Sequence, residues 1–73
     1  MDRKLASILV RTYLAISEQL NIATLVVGEL ENESEQRVTR MSIGNILALI
    51  QRDLIVPVIQ KYPDLDPDKK WDS

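Results

Sequence analysis

Along the first half of the chain the apolar positions Leu9, Tyr13, Ile16, Leu20, Ala23, Val27 and Leu30 are spaced 4, 3, 4, 3, 4 and 3 residues apart. That is the heptad spacing of a helix with one apolar seam. Asp2 stands where an N-cap belongs, and Ala6, Leu14, Ala15, Glu18, Gln19 and Leu20 are good helix formers, so the pattern predicts a helix over about residues 3–31. At 1.5 Å per residue it would run on the order of 40 Å. Val10, Leu14 and Leu25, with Ile22 and Val26 near them, form a second apolar stripe, so burying one face does not satisfy this helix.

Residues 29–36 break the pattern with four glutamates and a single leucine, and they separate two apolar-rich arms. Within them Asn32 is placed to cap a second helix, and Glu35 to bond back to it in a capping box. This second arm is predicted over about residues 33–61. Ile43, Ile46, Leu47, Ile50, Leu54 and Val58 make its wide face, while Val38, Met41, Leu49, Val56 and Ile59 lean elsewhere. Pro57 lacks the N–H that would bond to Asp53, so a kink is expected there, and Tyr62-Pro63 ends the arm.

Two β-branched runs, residues 22–27 and 37–43, support a competing α+β fold of helix, strand, strand, helix. It ranks second, because the alternation is broken within residues 25–31 and the heptad spacing runs straight through the first run.

The expected architecture is therefore all-α: a two-helix hairpin that pairs with a second copy as a homodimeric four-helix bundle. Residues 1–62 form the single domain, and residues 63–73 a flexible acidic C-terminal tail. Leu9, Tyr13, Ile16, Leu20, Val27, Ile46, Ile50 and Leu54 are the candidate self-association residues. Ile55, Val58, Ile59 and Trp71 are candidates for binding a further protein partner.

Composition sharpens this picture mostly by exclusion. The chain has 73 residues, no Cys and no His. Disulfides, Cys/His zinc sites, a cysteine nucleophile and histidine acid–base chemistry are thereby excluded. The serines lack a histidine base or a nucleophile elbow, and two glycines are too few for a phosphate-cradling loop. The carboxylates gather in the turn and tail, where solvent keeps them ordinary, and the aspartates of residues 64–70 do not complete a calcium loop. Asn32-Glu33-Ser34 matches a glycosylation acceptor, but capping explains the same residues. The expectation is a protein with no catalytic, cofactor or metal site.

A net charge of −2 gives no general attraction to nucleic acid. The alternative reading, a dimeric nucleic-acid-binding regulator, would rest on Arg3, Lys4, Arg11, Arg37 and Arg40. The longest unbroken apolar runs, residues 46–50 and 54–59, are far below the roughly 20 residues of a membrane span, and no targeting segment is visible. A cytoplasmic, small oligomeric helical module for protein–protein interaction or regulation is the expected class.

Overall fold

The computed structural model describes residues 1–67. It is all-helical: α1 spans Arg3–Val27, α2 spans Glu33–Leu49, a π-helical segment follows over Ile50–Ile55, α3 covers Val56–Lys61, and Pro63–Leu65 add one 3-10 turn. No strand forms among the described residues, which overturns the helix, strand, strand, helix alternative. Residues 22–27 belong to α1 and residues 37–43 to α2. A β-branched run loses little helicity when its apolar side chains recur at helical spacing.

Both N-caps are side-chain caps. Asp2 Oδ1 accepts from the Leu5 N–H at 2.8 Å and Asn32 Oδ1 from the Glu35 N–H at 3.1 Å. The capping box is only half made, since the side chain that reaches back across the turn is Gln36, donating to the Leu30 carbonyl. The first helix stops at Val27, four residues short of the expected end. Gly28, Glu29 and Leu30 then bond back to Leu25, Val26 and Val27, so the chain tightens before it reverses. Gly28 keeps an ordinary φ of −61°, and its use is room: a Cβ there would lie 3.2 Å from Arg40 Nη2 and 3.3 Å from the Leu25 carbonyl oxygen.

The break in the second arm lies just before Pro57 rather than at it. A proline ring in an α-helix presses on the carbonyl four residues earlier and offers that carbonyl no donor. Here the backbone widens over Ile50–Ile55, and the Val56 N–H bonds five residues back to the Gln51 carbonyl. The extra residue rotates everything after it. An uninterrupted helix would set Leu54 one heptad after Leu47, on the face of Ile43 and Ile50. Instead Leu54 is 41% exposed and Ile55 only 2%.

The beginning of α1 meets the end of the second arm, so the two arms run in opposite directions. Ala6, Val10 and Val58 form a buried cluster, with Leu14, Ile59, Tyr62 and Leu65 packed against it. The Tyr62 hydroxyl donates to the Met1 carbonyl, and Arg3 pairs with Asp64. Val27, Ile43, Ile50 and Ile55 complete the interior. It is narrow: the molecule measures 45 × 28 × 16 Å. Its radius of gyration is 15.1 Å. A compact domain of this length would have about 11 Å. Two arms side by side make one layer, whereas a stable domain encloses its core between two.

Candidate functional site

The surface divides by helical face. On α1 the positions Leu5, Ile8, Thr12, Ala15, Gln19, Ile22 and Val26 recur at 3, 4, 3, 4, 3 and 4 residues, and every one is exposed. None carries a charge. The Thr12 hydroxyl is already satisfied, donating to the Ile8 carbonyl at 2.8 Å, so it can be covered without losing a bond to water. On α2, Val38, Ser42, Asn45 and Leu49 recur at 4, 3 and 4 residues, are likewise exposed and uncharged, and have the exposed Ile46 beside them.

Each stripe is turned from the buried stripe of its own helix by about 140°, in the same rotational sense, at 100° per residue. Because the arms are antiparallel, equal rotations turn both stripes toward the same side of the layer, each leaning to its outer edge. Lys4, Arg11 and Glu18 on α1 and Glu33, Arg37 and Arg40 on α2 fall on the other side. Thus one side is mostly apolar, with Glu35 at the N-terminal end of its α2 stripe and Arg52 just past Leu49, and Lys4, Arg11, Arg37 and Arg40 lie on the other beside the exposed Leu25 and Met41.

The expected self-association residues distribute unevenly. Ile16, Ile46 and Leu54 are exposed, Leu9, Tyr13 and Leu20 are half-buried, and Val27 and Ile50 are buried within the chain. Of the expected partner-binding residues, Ile55 and Val58 are buried in the intrachain core and Ile59 is half-buried against it, so these do not form an open face. Trp71 lies outside the described residues. The sequence reading missed the stripe through Leu5, Ile8 and Ile22, although its 3,4 spacing was there to count. The buried contact of α1 runs through Ala6 and Val10 near its start and reaches the heptad seam at Val27, while Leu9, Tyr13, Leu20 and Ala23 of the seam are half-buried.

On the charged side, Glu33, Gln36, Arg37, Arg40 and Met41 line an open depression of about 400 Å³. Arg37 makes no ion pair with Glu33. Arg40 leans over Gly28, and Arg3 is held by Asp64. Of the five cations named for nucleic-acid binding, Lys4, Arg11, Arg37 and Arg40 share the charged side, and Arg3 is paired with Asp64. Arg52 and Asp53 pair through Nε to Oδ1 at 2.8 Å. The hydrogen bond from Arg52 holds the Asp53 carboxyl below its ordinary range, and the same bond raises the guanidinium. No group of three or more Asp or Glu side chains able to hold a metal ion occurs among the described residues.

The continuous helical stretch Glu33–Lys61 is, by length and composition only, long and apolar enough to cross a membrane, a property that counting unbroken apolar runs does not reveal. Only 22% of its most apolar window is buried within the chain. A helix of a soluble protein that packs on a partner has the same composition.

Comparison with protein-family models, with curated proteins and with solved structures finds no match.

Proposed function

We propose that this chain is a small helical self-association and protein-interaction module without catalytic activity, whose two arms form a hairpin that pairs with a second copy as a four-helix bundle. The observation that carries this reading is the mostly apolar side of a layer one helix thick. A large exposed apolar patch of this kind marks an interaction surface rather than an ordinary monomer surface. Each aliphatic side chain covered there contributes roughly 1.5–3 kcal/mol if fully buried, and several together outweigh the entropy of association.

Size-exclusion chromatography with light scattering tests it. A species of twice 8.3 kDa that persists into the low micromolar range is expected. A stable, well-folded 8.3 kDa species at micromolar concentration would refute it.

A further inference from the structure

The mostly apolar side of the layer extends self-association to a specific docking mode, which rests on the dimer reading above. We infer that a second copy of this chain seats on that side alone, through Leu5, Ile8 and Ile16 of α1 and Val38, Ile46 and Leu49 of α2, leaving the charged side facing water.

Three observations select this occupant. The first is area. Leu5, Ile8, Ile16, Ile22, Val26, Val38, Ile46 and Leu49 are each about half exposed, and together they offer roughly 700 Å² per copy, most of the about 800 Å² per partner of a standard-size interface. The second is charge. A two-fold interface brings each residue near its own copy or its symmetry partner, so a charge near the axis meets like charge. The stripe of α1 runs from Leu5 to Val26 without one and that of α2 from Val38 to Leu49 with Glu35 only at its outer end, whereas the other side carries Lys4, Arg11, Arg37 and Arg40. The third is thickness. The layer is 16 Å in its shortest dimension, and stacking two such layers gives the two-layer arrangement that encloses a core. A charged partner would instead find its complement on the opposite side.

The test uses the full chain and four proteins in sedimentation equilibrium: wild type, Ile16→Lys, Ile46→Lys and Leu25→Lys. Ile16 and Ile46 are each 45% exposed and belong to the docking side, whereas Leu25 is 77% exposed and lies on the charged side. Each docking-side substitution enters the dimer twice and is expected to raise the dimer Kd by about 100-fold or more. Leu25→Lys should change it by less than about 3-fold. Should a lysine variant lose its helical circular dichroism, hydroxyl-radical footprinting of wild type decides instead: Ile8, Ile16 and Leu49 gain protection with rising concentration and Leu25 does not. A dimer broken by Leu25→Lys but not by Ile16→Lys or Ile46→Lys overturns the docking side and leaves self-association standing. A wild type that stays monomeric overturns both, as does a monomer that captures neutral lipid vesicles through the same residues.

Discussion

Replacing Ile55 and Leu54 separately by alanine reads the phase of the second arm. In an uninterrupted helix Leu54 would face the interior and Ile55 would not. The π-helical segment reverses their roles, leaving Ile55 at 2% exposure and Leu54 at 41%. Ile55→Ala removes three buried carbons at about 0.8 kcal/mol each and leaves a space that neighbouring Val58 and the α1 side chains close only in part, for a total of about 3 kcal/mol. Leu54→Ala removes a side chain already half in water and should cost about 1 kcal/mol. A single core of this size supplies only about 3–5 kcal/mol, so the first variant should be largely unfolded under mild denaturant while the second keeps its transition. Urea titration followed by far-UV circular dichroism, at one protein concentration, gives both values. Equal losses, or a larger loss for Leu54→Ala, would refute the displaced register.

Gly44→Ala should stabilise the chain by about 0.8 kcal/mol, because Gly44 lies inside α2 with nothing near the added methyl, and its thermal midpoint should rise by a few degrees. Asp2→Ala and Asn32→Ala each remove the acceptor of a capping N–H and should each cost about 1 kcal/mol in the same denaturation assay. The Asp53 carboxyl should titrate below ordinary aspartate in an NMR pH series and return to the ordinary range in Arg52→Gln. Because its folded pKa is lowered, whatever it adds to stability is present above the unfolded value, 3.8, and disappears as pH falls through the folded one. Both groups are exposed, so Asp53→Asn should leave the urea midpoint at pH 7 unchanged.

Local chemistry was the most legible level of this molecule. Asp2 and Asn32 cap because a short acceptor side chain before a periodic apolar run satisfies orphaned N–H groups, and the glutamates of residues 29–35 separate the arms because they have nowhere to be buried. The phase of the second arm was not legible. Pro57 announces a break, but whether the backbone meets it by bending or by inserting a residue depends on which choice buries the better set, here Ile55 and Val58. Likewise the heptad seam through Leu9 and Ile16 is real as spacing, yet α1 turns Ala6 and Val10 inward, because a small residue opposite Val58 lets the arms approach closely. The consequence for the surface is larger than for the core: the stripe left outside is the one through Leu5, Ile8 and Ile22.

Small-angle X-ray scattering at several concentrations reports mass and arrangement together. Two layers stacked on their mostly apolar sides, with axes about 10 Å apart, give twice the mass with a radius of gyration of only about 16 Å, since each copy lies just 5 Å or so from the common centre. The single layer has 15.1 Å. Doubled mass with a radius near 16 Å is the expected result. A mass of 8.3 kDa at every concentration, or doubled mass with the far larger radius of an end-to-end pair, would contradict the account.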